Sequence, residues 1–473
     1  MSPARLAADT VAPPAPHTLL VFLLQIGVLL GLALVLSRLA RKLGLPAVAG
    51  ELAAGVLLGP SVLAPALPAL SAWLFPRDTA QMHLLDAVGQ LGVLLLVGFT
   101  GMHLDMALAR RRGRAAAGIS AAGLLLPLAM GLWLGHALPA QLRPADADPV
   151  VFALFIGVAM CVSSIPVIAR TLVDMRLLHR NVGQMIMVVA AIDDIVGWLL
   201  LSVVTALATT GVGAGEIATP LIHMALVILA FLTLGRQLVR RVLSAVGSSD
   251  SPGASTAVTV VLLVLAAAGA QALGFEAVLG AFLCGILIGT HGPKELTQRL
   301  EPLRTTVLHF LSPLFFAGAG LRIDLTALAA PTTALWGLIA LALAVTGKYL
   351  GAATGLFAGG LTRWEALALA AGINARGVIQ VVIAVIGLRV GLLNTAMYSI
   401  IVLIAIITPL MAPPVLRLAA RRIEESAEER LREHGLHAPE GQDTTRASTE
   451  DAPGAAELIH DRGSKAERAP DTS

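Results

Sequence analysis

Apolar runs of about 18 to 28 residues alternate with short polar connections along most of the chain, and an α-helix needs that length to cross about 30 Å of hydrocarbon. The pattern predicts about thirteen crossings, near residues 17–38, 46–63, 82–104, 115–138, 149–171, 183–209, 217–243, 255–273, 275–291, 304–323, 331–358, 364–388 and 393–416. The expected fold class is an all-α polytopic membrane protein. Residues 1–16 are rich in Pro and Ala, and no small-residue cleavage site follows the first apolar run, which therefore reads as a retained helix rather than a signal peptide.

Basic residues in the connections give an orientation, because Lys and Arg accumulate on the cytoplasmic side. Alternate connections carry them: Arg38, Arg41 and Lys42 after the first span, Arg110, Arg111, Arg112 and Arg114 after the third, and Arg170, Arg176 and Arg180 after the fifth. Arg236, Arg240 and Arg241 follow the seventh, Lys294, Arg299 and Arg304 the ninth, Arg363 the eleventh, and Arg417, Arg421 and Arg422 the last. The opposite connections hold only Arg77, Arg143, Arg322 and Arg389. The amino terminus is then outside and the carboxyl terminus cytoplasmic, in a cell-membrane protein.

Composition agrees. Of 473 residues 56% are hydrophobic and 13% charged, with a mean hydropathy of +0.82, which excludes an ordinary soluble protein. The formal net charge of +3 reports membrane orientation, so no nucleic-acid partner follows. Cys161 and Cys284 both lie in apolar runs and suggest packing residues rather than a disulfide or a metal cluster.

The chain repeats itself. Gly55-Val-Leu-Leu-Gly59 is echoed by Gly285-Ile-Leu-Ile-Gly289, and Phe99-Thr-Gly-Met-His-Leu-Asp105 by Gly318-Ala-Gly-Leu-Arg-Ile-Asp324. By the count of spans the two copies are inverted, a common build of secondary transporters, whose sites lie near the midplane where broken helices meet. The fifth span carries Cys161-Val-Ser-Ser-Ile-Pro-Val167 and the twelfth Gly372-Ile-Asn-Ala-Arg-Gly-Val378. Pro166 removes a backbone donor and Gly377 loosens its helix, so both spans could be interrupted mid-membrane, with Ser163, Ser164 and Asn374 as neutral oxygen ligands. An ordinary proline kink with the serines bonded back to their helix is the alternative reading of these residues.

Asp193 and Asp194 lie together inside the sixth apolar run, where each charge costs about 2.5–3.5 kcal/mol on insertion scales. Lys348 lies at a similar depth in the eleventh. Neighbours on a helix point about 100° apart, so one aspartate can pair with Lys348 while the other faces a water-filled cavity and holds a cation. Burial and a nearby ammonium act in opposite directions on a carboxylate, and proton and cation would then compete for it. Competition at one carboxylate, with alternating access, is sufficient for an antiporter. A non-transporting sensor or an organic-solute transporter on the same fold is the alternative, but a sensor needs no titrating carrier and an organic-anion site would want cationic or neutral groups.

Four runs, Gly50-Glu-Leu-Ala-Ala-Gly-Val-Leu-Leu-Gly-Pro60, Ser163-Ser-Ile-Pro-Val-Ile-Ala-Arg170, Ala191-Ile-Asp-Asp194 and Asn374-Ala-Arg-Gly377, together resemble the monovalent cation/proton antiporters, in the branch with bacterial Kef-type and plant cation/proton exchangers. The resemblance spans residues 17 to 417 and implies exchange of Na⁺ or K⁺ for H⁺. It also implies a homodimer with a core subdomain that moves against a dimerisation subdomain. It makes Asp194 the carboxylate that binds the monovalent cation and the proton, Asp193 its partner and Lys348 the lysine paired with Asp193. Its Asp-Asp pair resembles that of the electrogenic members. Related exchangers often carry Glu where this chain has Gln380, which leaves ion preference and pH regulation open.

Glu51 and Arg376 are read as supporting charges, Arg376 as a fixed counter-charge in the core and Glu51 as either structural or functional; Glu51 and Glu276 near helix ends can also be solvated. Gly347-Lys348 lacks the upstream glycine of a phosphate loop, and Tyr349 stands where Ser or Thr is needed, so no nucleotide site, cofactor or enzymatic activity is expected. The domain plan is an extracytoplasmic segment at 1–16, a transmembrane antiporter domain at 17–417 and a cytoplasmic tail at 418–473. The tail, poor in apolar residues, is expected to be disordered after a short helical start.

Overall fold

The structure, a computed structural model, describes residues 15–43, 45–76, 79–209, 222, 229, 231–247, 252–273, 275, 277–293, 296–323, 325–358 and 360–437. The first half of the predicted seventh span (apart from Ile222 and Leu229), Glu276, Lys294, Asp324 and the tail beyond residue 437 lie outside the described residues. The principal helices are α1 (Pro16–Lys42), α2 (Ala47–Leu58), α3 (Thr79–Met102), α4 (Gly113–Ala137), α5 (Pro149–Cys161), α6 (Ile165–Asp174), α7 (Asn181–Thr209) and α8 (Arg236–Gly247). They continue with α9 (Pro252–Ala272), α10 (Ala277–His291), α11 (Ser312–Gly320), α12 (Pro331–Ala358), α13 (Arg363–Ile373), α14 (Val378–Arg389), α15 (Thr395–Ala420) and α16 (Ala427–His437). The last belongs to a separate unit, residues 426–473.

Among the described residues nine helical stretches are long and apolar enough to cross a membrane, with α5 and α6 counted as one. The chain is a multi-pass membrane protein, and these nine count only the long helices among the described residues. The predicted ninth span is the 15-residue α10. The tenth is divided by a π-turn at Val307–Leu311, and the twelfth is broken into α13 and α14.

The two broken spans break for different reasons than their sequence suggests. Helix α5 starts at Pro149 under the cap of Asp148, whose carboxylate accepts from the Val150 and Val151 N–H groups, and it stops at Cys161. Ser164 is extended, and α6 restarts at Ile165 with Pro166 in its first turn, where the missing N–H is one that has no helical partner anyway. Pro166 therefore opens the second half and is not itself the interruption. Helix α13 opens on a capping box between Thr362 and Glu365. Gly377, just before α14, is a point of close approach, since a Cβ there would meet Val167 Cγ2 at 2.5 Å.

The helices fall into two packed groups. In one, α1 lies on α2, α2 on α11, α3 on α10 and α9 on α10; in the other, α4 lies on α5 and α12, α7 on α13, and α13 and α14 on α15. Helix α6, continuous in sequence with the second group, packs against α2 and α3 of the first. The inverted repeat is visible as a reciprocal exchange. A Cβ at Gly55 of α2 would strike the α11 backbone at Ala317 and Gly320, and one at Gly285 of α10 would strike the α3 backbone at Gly98. Each repeat's glycine-bearing helix thus packs on the other repeat's second helix, close enough that only glycine fits.

Candidate ion-binding site

Asp193 is held from three elements. Its Oδ1 accepts from Ser120 Oγ of α4 at 2.5 Å, and its Oδ2 accepts from Lys348 Nζ of α12 at 2.7 Å. Ser163 Oγ, in the break between α5 and α6, stands 3.2 Å from Oδ2 and 2.8 Å from the Ile373 carbonyl at the end of α13. Asp193 and Lys348 are both fully buried. Taking two such charges out of water costs several kcal/mol per ion, offset only when geometry and further hydrogen bonds are good. Ser120 supplies one such bond, while the single Ser163 proton is shared between Asp193 and the nearer Ile373 carbonyl.

Asp194, the next residue of α7, is also buried and points about 100° away from Asp193. The neutral groups expected beside it lie at the breaks of the two interrupted spans. Ser164 and Asn374 are buried there, and Ser164 Oγ, Asn374 Oδ1 and Asn374 Nδ2 have no hydrogen-bond partner among the described residues. Buried polar atoms left without partners are costly and call for water or an ion. Ser163 differs from this pair, since its hydroxyl is engaged by Asp193 and the Ile373 carbonyl.

Arg376 serves the broken helix α5. Its Nη2 donates to the carbonyls of Met160 at 2.5 Å and Ala344 at 3.3 Å, and Gln380 Nε2 donates to the Ala159 carbonyl at 3.1 Å. The end of a helix leaves carbonyls unsatisfied and carries partial negative charge. A guanidinium and an amide from the facing break answer both, which gives Gln380 a structural task that an acceptor-only carboxylate would not perform.

Glu51 and Arg170 require correction. Glu51 is not solvated: it is buried, and its Oε1 accepts from Arg170 Nη2 at 2.8 Å. Arg170 is a buried residue of α6, not part of a connection, so it does not count towards the orientation. Glu276 lies outside the described residues. Sequence reasoning missed Ser120, a lone hydroxyl in an apolar helix with no motif around it. It also quoted Arg170 without assigning it a partner, because Glu51 is 119 residues away.

Two crossed, interrupted helices around a buried Asp-Asp-Lys set define a secondary transporter by architecture. A family profile described as sodium/hydrogen exchanger, transmembrane, matches residues 28–421, and the chain belongs to that family. It is 32% identical over 407 residues to the Na⁺/H⁺ antiporter NhaS4 of Synechocystis sp., covering 84% of this chain and 97% of that protein. It is 30% identical over 431 residues to cation/H⁺ antiporter 18 of Arabidopsis thaliana, covering 88% of this chain and 51% of that protein, and so spans about half the length of the plant relative. The fold is similar to that of the sodium proton antiporter MjNhaP1 from Methanocaldococcus jannaschii, with a TM-score of 0.59 at 16% identity over 89% of this chain and 100% of the other.

Proposed function

We propose that this protein exchanges a monovalent cation, Na⁺ or K⁺, for protons across the cell membrane by alternating access. Asp194 carries the cation or the proton in turn, and Ser164 and Asn374 complete its ligand set with Ser163 at the edge. Asp193 is held in place by Lys348, Ser120 and Ser163. The observation that carries this division of labour is the Lys348–Asp193 pair at 2.7 Å, fully buried, because it occupies one carboxylate and leaves the adjacent one a different task. The names of the Synechocystis and Arabidopsis relatives, both cation/proton antiporters, support the reaction class.

The amino terminus lies outside and the tail from residue 418 in the cytoplasm in this reading. The helices of 17–417 divide into a core subdomain around the broken spans and a dimerisation subdomain, and the protein works as a homodimer. The test is proton flux in proteoliposomes holding a pH gradient, with Na⁺, K⁺ and Li⁺ added in turn. Cation-triggered proton movement supports the reading and names the ion; no movement with any cation, from folded protein, refutes it.

A further inference from the structure

Two runs singled out in the sequence, the one containing Glu51 and the one ending in Arg170, are not used by the site around Asp194. They meet each other instead. Arg170 Nη2 lies 2.8 Å from Glu51 Oε1, and Arg170 Nε lies 3.5 Å from Asp174 Oδ2. Asp174 Oδ2 in turn accepts the Ala47 N–H at 3.0 Å, at the first residue of α2. A carboxylate at a helix N-terminus answers both the unsatisfied N–H groups and the positive end of the dipole. Helix α2 has no side-chain cap of its own, so α6 supplies one from across the boundary between the two helix groups.

This cluster sits at one end of that boundary. It lies beside the carboxyl end of α1, with Arg41 and Lys42, and the carboxyl end of α6. At the other end the same boundary is open: a cavity of about 270 Å³ separates α3 and α11 from α14, lined by Asp86, Gln90, Arg322, Val382, Ile386 and Arg389. Helix α3 fixes the separation. Its residues 85–90 line the cavity, whereas Phe99 and Thr100, with His103 just beyond its end, stand with Val173 and Leu178 beside α6, about ten residues or roughly 15 Å further along the axis. The two groups are thus joined by charges at one end, while at the other a cavity separates α3 and α11 from α14 and the Tyr398 hydroxyl of α15 reaches the Arg322 carbonyl at 3.4 Å.

We propose that Glu51, Arg170 and Asp174 form a latch that closes the arginine-rich end of the boundary in this conformation and must open during each transport cycle. The latch rests on the exchange reading given above. Its chemistry suits the task. A buried ion pair is orientation-specific and of small net stability, because desolvation offsets most of the attraction, so it can define one state without making that state permanent. Hydrating the three charges as the groups part recovers much of what separation loses. A static scaffold of the same strength could be built from apolar side chains at no such cost. Glu51 Oε2 has no hydrogen-bond partner among the described residues, and a second cavity, of about 200 Å³, reaches the cluster past Ser37, Arg41, Ala47 and His309. Water therefore has a route to the charges as they separate.

Ala47→Cys places a thiol under the latch while keeping all three charged residues. Ala47 is buried here, and the native Cys161 and Cys284 are buried in the membrane core, so mass spectrometry can assign the label. The full chain in proteoliposomes is treated with a hydrophilic maleimide, with and without a saturating concentration of the cation that supports proton flux. The latch requires labelling at position 47 to rise at least threefold with the cation, and the rise to vanish when Asp194→Asn is added. It also requires Glu51→Gln/Arg170→Gln to label at least fivefold faster without any cation. Equal labelling in every condition, while proton flux proceeds normally, overturns the latch and leaves exchange standing. Absence of flux with every cation overturns exchange itself, and the latch with it.

Discussion

Lys348 Nζ lies 2.7 Å from Asp193 Oδ2, with both side chains fully buried. Removing one partner strands the other charge in a medium where it is costly. Lys348→Ala is expected to lower stability by about 3–5 kcal/mol, whereas Asp193→Asn combined with Lys348→Gln removes both charges and recovers most of that loss. Thermal unfolding of the purified protein in detergent checks both.

Asp194→Asn keeps the shape of the side chain and removes its charge and its proton. Exchange is expected to fall to background, with a thermal midpoint equal to or above that of the wild type, because a buried carboxylate costs more than a buried amide. Proton flux and thermal unfolding on the same preparation test the two halves. A variant that still exchanges would assign the carrier role to another group.

Asn374→Ala should separate binding from stability. The Asn374 side chain makes no hydrogen bond among the described residues, so truncating it costs little in folding. If it serves as a ligand, the apparent KM for the cation rises about tenfold, equivalent to about 1.4 kcal/mol, at unchanged thermal midpoint. A lowered midpoint with an unchanged KM would make Asn374 a structural residue.

The glycine contacts between repeats give a contrast within one pair of packed helices, α2 and α11. Gly55→Val forces a side chain into the backbone of α11 and is expected to cost about 1–3 kcal/mol or prevent folding. Gly318→Ala on the same pair of helices meets nothing within 4 Å and is expected to be neutral. Expression level and thermal midpoint of the two variants decide it.

The sequence carried the membrane class, the repeat and the acidic pair because each is a local signal: a run length, a spacing, a charge where charge is expensive. It also carried the pairing of Lys348 with Asp193, through the family resemblance. What it could not carry were contacts that only the fold creates. Ser120 is one serine in an alanine-rich helix until α4 is laid against α7. The sequence shows no partner for Arg376; its donors go to the carbonyls of Met160, left open where α5 ends, and of Ala344 in α12. Arg170 was counted with the connections because α6 continues past the break, and the break itself falls before Pro166 rather than at it. Hydropathy placed the short and broken spans but not their internal ends, since it reads length and not backbone continuity.

The central claim is that cation and proton compete for Asp194, and the apparent KM for the cation as a function of pH tests it most directly. Initial rates of cation uptake into proteoliposomes are measured with equal pH on both sides over several pH units. Competition predicts that the KM rises as pH falls, approaching tenfold per pH unit once the site is mostly protonated, at nearly constant maximal rate. A KM independent of pH, with acid lowering only the maximal rate, would place the proton on a different group and contradict the account.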